Sequence, residues 1–99
     1  MYLTFGDIIK KGRISKGLKL KDVAKITGID LSTLAKIEKN QRDPTNIFLK
    51  KVSECLCLDE QELRNNYLSD KLVEKVYQEA NPIEVLRLAE KKVEYKINP

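Results

Sequence analysis

Residues 28–39 read GIDLSTLAKIEK, and this stretch decides the fold. Gly28 follows a short apolar-periodic segment and permits a tight turn. Asp30 is of the type that caps a helix, and Leu34 and Ile37 then recur at the spacing of one helical face. The helix so predicted runs from Leu31 to about Lys39, and Asn40 tolerates the left-handed conformation that closes a helix. Its other side carries Leu31, Ser32, Thr33 and Lys36. Three of these can hydrogen-bond outward, but the first position is aliphatic.

On the N-terminal side, Leu20 to Thr27 forms a second short helix, with Leu20, Val23, Ala24 and Ile26 as its inward set. Before it, Thr4 to Lys16 reads as a helix with Thr4 as N-cap, Asp7 three residues on and Gly17 as its stop. Gly12 inside that helix costs about 1 kcal/mol relative to Ala, which implies a close neighbour. On the C-terminal side, Pro44 lies in a loop and Thr45 or Asn46 caps a fourth helix to about Leu56. Its apolar face is Ile47, Leu49, Val52 and Cys55 or Leu56. Asp59 with Glu62 makes a capping box for a fifth helix over about residues 60–67.

Two further helical patterns follow. SDKLVEKVYQEA (69–80) places Leu72, Val73, Val76 and Tyr77 on one stripe. NPIEVLRLAEKKVEYKI (81–97) opens with Asn81 as cap, Pro82 at the first helical position and Glu84 completing a capping box. Its apolar set of Ile83, Leu86, Ala89 and Val93, flanked by Val85 and Leu88, is wider than one packing seam needs. A partner helix and the chain's own core both remain open as its cover. Strand-like alternation is absent throughout, so the expectation is all-α: a five-helix domain over 1–67 and a C-terminal helical extension over 68–99, a candidate dimerisation element.

Ninety-nine residues, 41% of them hydrophobic, suffice for one core and not for two. The absence of His removes the commonest general base and the commonest zinc ligand. There is no Gly-rich phosphate loop and no nucleophile with a neighbouring base, so an enzyme is not expected. Cys55 and Cys57 are the only cysteines and fall short of a four-ligand zinc site. They read as buried or half-buried thiols at a helix end, and neither a metal nor a cofactor is expected. No apolar run approaches the roughly 18 residues of a membrane span, and MYLTFGDIIKKG lacks the apolar centre of a signal peptide. The expected address is the cytoplasm, without a membrane partner or an evident small-molecule ligand. The net charge of +4 is unevenly placed: residues 1–50 hold eleven Lys+Arg against five Asp+Glu, residues 51–99 eight against ten. A basic front half suits a polyanion, and equally a solvated lysine-rich surface.

Two short helices joined by a Gly-containing turn form the helix-turn-helix unit, whose second helix enters the DNA major groove; a generic helical hairpin has the same spacing. FGDIIKKGR, KGLKLKDVAKITGI, STLAKIEKNQRDP and FLKKVSECLCLDEQEL occur in that order, and over residues 5–63 the chain resembles the phage-repressor type of helix-turn-helix, the XRE family. GLKLKDVA, IDLSTLAKIEKNQRDPT and the tail YLSDKLVEKV...LRLAEKKVEYK further resemble a group of small regulators that accompany DNA methyltransferase and restriction genes.

The resemblance implies a repressor-like fold and a regulator that binds double-stranded DNA as a homodimer on a two-fold operator. It implies an ion pair between Arg13 and Glu38 that ties the first helix to the reading helix. A guanidinium fork suits that task because it can hold a carboxylate bidentately. The family's base-reading positions fall on Leu31, Ser32, Thr33 and Lys36, with Ala35 close by: Lys36 suits guanine, the hydroxyls suit several bases, and Leu31 suits a thymine methyl. The bland reading of Ser32 and Thr33 is that they satisfy helix-end amides. Phosphate contacts are expected from Lys19, Lys21, Lys39, Gln41 and Arg42. Leu20 departs from the family, which commonly places a phosphate-gripping Gln at the start of helix two. Leu20 and Leu31 together motivate an alternative, a protein-interaction module such as an antitoxin or adaptor that keeps the fold without operator binding.

Overall fold

The structure is a computed structural model and describes residues 2–99. Six helices follow one another: α1 (Phe5–Ser15), α2 (Leu20–Thr27), α3 (Leu31–Glu38), α4 (Asn46–Leu56), α5 (Glu60–Val76) and α6 (Pro82–Ile97). No strand occurs among the described residues.

Local chemistry sets most of the boundaries. Thr4 and Asp7 cap α1 reciprocally: Asp7 N–H donates to Thr4 Oγ1 at 3.2 Å and Thr4 N–H donates to Asp7 Oδ2 at 3.0 Å. The Thr4 N–H, with the Thr4 hydroxyl beside it, holds the Asp7 carboxyl below its ordinary range. Asp30, Thr45 and Asp59 cap α3, α4 and α5 with their side chains. Gly28 ends α2 at φ 73°, a conformation that costs glycine nothing, and its N–H donates to the Ala24 carbonyl at 2.9 Å.

The core gathers Phe5, Ile9, Val23, Leu34, Ile37, Phe48, Leu49, Val52, Leu56 and Leu63, all drawn from α1 to α5. Leu20 and Ala24 pack against it, and the Leu58 side chain lies over Gly12. Two inward assignments from the sequence are corrected. Ile26 is exposed, and Thr27 is buried in its place, its hydroxyl donating to the Val23 carbonyl at 2.7 Å. Ile47 is also exposed, because the buried stripe of α4 is Phe48, Leu49, Val52 and Leu56, and Ile47 lies outside that face. Burying the larger aromatic removes more apolar surface from water, so Phe48 sets the rotation of the helix.

The fifth helix is longer than its expected end near residue 67. It continues unbroken to Val76, so position 67/68 lies in mid-helix. No Gly or Pro stands between Asp59 and Pro82 to stop it, and Ser69 turns its hydroxyl back onto the Asn66 carbonyl at 2.9 Å. At α6 the expected Asn81–Glu84 capping box does not form. Asn81 makes no side-chain cap bond, and Glu84 instead accepts from Arg87 at 3.0 Å, one turn along the exposed face.

No residue of α6 is buried, and Ile83, Leu88, Val93, Tyr95 and Ile97 are each more than half exposed. The helix stands off the core, which gives a radius of gyration of 15.7 Å where a compact chain of this length has about 13 Å. None of the six helices is long and apolar enough to cross a membrane.

Candidate nucleic-acid interface

The α2–turn–α3 unit is fixed from behind. Leu34 and Ile37 are buried in the core, Ile29 is half-buried at the turn, and Asp30 accepts the Thr33 N–H at 3.1 Å. Glu38, at the end of α3, is itself buried. Arg13 Nε donates to Glu38 Oε2 at 2.7 Å and Nη2 to Oε1 at 3.1 Å, while Nη1 donates to the Leu18 carbonyl at 2.9 Å. The two side chains are 12% and 6% exposed. Bonding to Glu38 holds the guanidinium more firmly protonated than usual, against the opposing cost of burial. One side chain of α1 therefore locks both the α1–α2 turn and the C-terminal end of α3.

The N-terminal end of α1 is tied to the same helix by Asn40. This residue sits in the left-handed region at φ 59°. Its Oδ1 accepts the Gly6 N–H at 3.0 Å, and its Nδ2 donates to Thr4 Oγ1 at 2.8 Å. A side chain at position 6 would collide with the Glu38 carbonyl and Asn40, so glycine is what allows α1 to approach α3 here.

With its rear face secured, α3 turns Leu31, Ser32 and Lys36 to solvent, and Leu31 is 48% exposed. Thr33 and Ala35 are half-buried at the edge of this strip. Thr33 is already engaged: Arg42 Nη1 donates to its Oγ1 at 3.2 Å, with Asp30 Oδ2 at 3.5 Å. Arg42, assigned from the sequence to phosphate, thus folds back against the reading helix. Lys39 and Gln41 are exposed after α3, and the Gln41 N–H donates to the Lys36 carbonyl at 2.8 Å. Lys19 and Lys21 are exposed at the start of α2, where Asp22 accepts the Lys19 N–H at 2.8 Å. Leu20 does not face outward with them; it packs against the core.

This arrangement offers a helix held at a set angle, a central strip able to touch base edges, and cations flanking it at two helix ends. Three features escaped the sequence reading: the Asn40 bridge to α1, the Asp70 carboxylate that accepts the Phe5 N–H at 2.7 Å, and the Lys71–Asp43 ion pair at 2.9 Å. Asp70 and Lys71 lie 65 and 28 positions from their partners, and no local pattern pairs them.

The thiols do not form a site. Cys55 is half-buried, with burial pushing its thiol pKa up, whereas Cys57 is exposed in the left-handed cap of α4, 3.0 Å from Lys16 Nζ. The expectation that both are shielded is corrected for Cys57. Among the described residues no group of three or more potential ligands could hold a metal ion.

The family model for helix-turn-helix matches residues 9–63. No curated protein and no solved structure matches the chain. The match runs from within α1 to the start of α5, includes the whole anchored α2–α3 unit, and covers more than half of the sequence. The chain belongs to the XRE-type helix-turn-helix family of DNA-binding transcription regulators.

Proposed function

We propose that this regulator is sequence-specific and acts as a homodimer on a two-fold operator, with Leu31, Ser32, Thr33 and Lys36 toward the bases and Lys19, Lys21, Lys39, Gln41 and Arg42 toward phosphate. The observation that carries the reading is the contrast between the two sides of α3. Its rear is fixed by buried side chains and a bidentate ion pair, while Leu31, Ser32 and Lys36 remain exposed. A relic of a reading helix would gain by covering Leu31 with protein. Here it stays accessible for apolar contact with a thymine methyl. Thr33 contributes jointly with Arg42, to which it is bonded.

The dimer is supported by α6. A 16-residue helix without a buried residue is marginal in water, and its apolar side chains are mutually spaced for contact with another helix. A second copy would cover them and set two reading helices about one DNA turn apart, or a multiple of it. Service as a restriction-modification controller belongs to the same proposal and rests on the resemblance of the α2–α3 region and tail to such regulators.

Selection from random duplexes at physiological salt tests this directly. A two-fold motif should be enriched, and Lys36→Ala should change the preferred bases, whereas Lys39→Ala should weaken all sites alike and reduce the salt dependence. Recovery of no motif refutes specific reading. The uncovered face of α6 also favours a second reading, a module that binds another protein. Copurification of a stoichiometric partner by a chain without salt-sensitive duplex binding would establish that instead.

A further inference from the structure

Beyond Tyr67, α5 runs beside the N-terminus of α1 and the loop after the reading helix, and a cleft of about 210 Å³ lies between them. Its polar wall is already filled. Lys71 Nζ lies 2.9 Å from Asp43 Oδ1, 3.4 Å from Glu74 Oε2 and 5.6 Å from the centre of the Tyr67 ring, so it takes the position an organic cation would occupy. A tethered ammonium has a large effective concentration over any free competitor, which makes the cleft an internal joint and not a ligand site.

The joint holds two things at once. Asp70 accepts the Phe5 N–H at 2.7 Å, and Tyr67 packs edge-on against Phe5 at 5.6 Å, so α5 seats the start of α1. Lys71 grips Asp43, the residue after Arg42, in the loop that also presents Gln41. Arg42 in turn reaches Thr33 on the reading helix. A continuous chain of contacts therefore runs from mid-α5 through the loop to the outward strip of α3.

We propose that Lys71 and Asp43 are positioning residues for DNA binding: their ion pair holds the Gln41–Arg42 loop in its binding geometry before DNA arrives, although neither touches DNA. The inference rests on the reading of the chain as a DNA-binding regulator. Its physical content is preorganisation. A loop already ordered loses less conformational freedom on binding than one that must be ordered by the phosphate contact.

The test uses the full chain, its selected duplex, and titrations at several salt concentrations for the unsubstituted protein, Asp43→Asn, Lys71→Met and Lys71→Arg. Asp43→Asn and Lys71→Met should each weaken binding about twofold to fivefold, the range of an exposed pair, and Lys71→Arg should restore it. The salt slope should stay unchanged in all four, and circular dichroism should show equal helix content. The Asp43 variant is decisive because removing a negative charge near DNA strengthens binding on electrostatic grounds alone. Binding by Asp43→Asn that equals or exceeds that of the unsubstituted chain overturns the inference. So does a slope reduced by about 1 in Lys71→Met, which would place Lys71 directly on phosphate. If the unsubstituted chain binds no duplex in a salt-sensitive way, the functional reading fails and the inference falls with it.

Discussion

Replacing Glu38 by Gln tests the anchor of the reading helix most severely. The substitution keeps the shape of the side chain but leaves the Arg13 guanidinium, 12% exposed, without its counter-charge beside a position that is 6% exposed. Breaking a buried pair from one side costs about 3–5 kcal/mol. Arg13 retains its bond to the Leu18 carbonyl and some access to water, so a cost of about 2–4 kcal/mol is expected. That is a large part of the roughly 5–15 kcal/mol that holds a chain of this size together. Urea unfolding followed by circular dichroism, at one fixed protein concentration because dimerisation would add to stability, gives the readout. With a slope near 1.5 kcal/mol/M, the midpoint should fall by about 2 M while the slope itself is unchanged. Two controls sharpen the result. Glu60→Gln, at a half-buried, solvent-accessible pair with Arg64 spanning 3.6 Å, should cost less than about 1 kcal/mol. The double variant Arg13→Met/Glu38→Leu, which removes both charges, should recover much of the lost stability. A midpoint shift under about 0.3 M for Glu38→Gln, or a double variant no more stable than the single one, would refute the claim that a desolvated charge pair fixes α3.

Three further outcomes follow from the same geometry. Gly6→Ala should destabilise the fold by about 1–3 kcal/mol, since its methyl would strike backbone at Glu38. Gly12→Ala meets side-chain ends alone, Leu58 at 3.1 Å and Leu56 at 3.6 Å, so thermal melts should show a clearly smaller loss or a gain; equal effects would contradict the close approach of α1 and α3. Alkylation at neutral pH should label exposed Cys57 at least about tenfold faster than half-buried Cys55, whose thiol is pushed up by burial, as peptide mapping by mass spectrometry would report. The Asp43 carboxyl is held below its ordinary range first by Lys71, so its folded pKa lies below the unfolded one. Its contribution is then present above the ordinary value and lost as the pH falls through the lowered one. Asp43→Asn should flatten the stability curve below about pH 4, and an unchanged acid limb would remove the pair from the account.

Much of the interface could be read in the chain because its signals are local. Asp30, the Gly28 turn and the spacing of Leu34 and Ile37 lie within ten residues of one another, and they set where α3 starts and which face it buries. Leu31, Ser32 and Lys36 turn outward as that periodicity implies, whereas Thr33, expected with them, is half-buried and bonded to Arg42. The failures also have local causes. Ile26 and Ile47 looked inward by hydrophobicity, but neighbouring Thr27 and Phe48 took the buried positions, and which of two adjacent residues faces a core depends on helix rotation. Leu20, placed inward by its spacing, does pack against the core, although it stands where the family commonly has a phosphate-gripping Gln.

What the amino-acid sequence determined by itself is α1 to α4, the capped starts of α1, α3, α4 and α5, and the buried face of α3, since capping, glycine turns and a 3.6-residue period act over a few positions along the chain. Tertiary structure alone decided the bonds of Asn40 and Asp70, and it gave the Arg13–Glu38 pair, implied by the resemblance, its bidentate geometry. Arg13 meets Glu38 across 25 residues, Asn40 meets Gly6 across 34, and Asp70 meets Phe5 across 65. Those pairings depend on how helices cross after the core has formed, and each is short-ranged: a carboxylate a few ångströms away would be solvated instead. The same dependence leaves α6 uncovered within the chain, because the core is built from α1 to α5 and takes in no residue of α6.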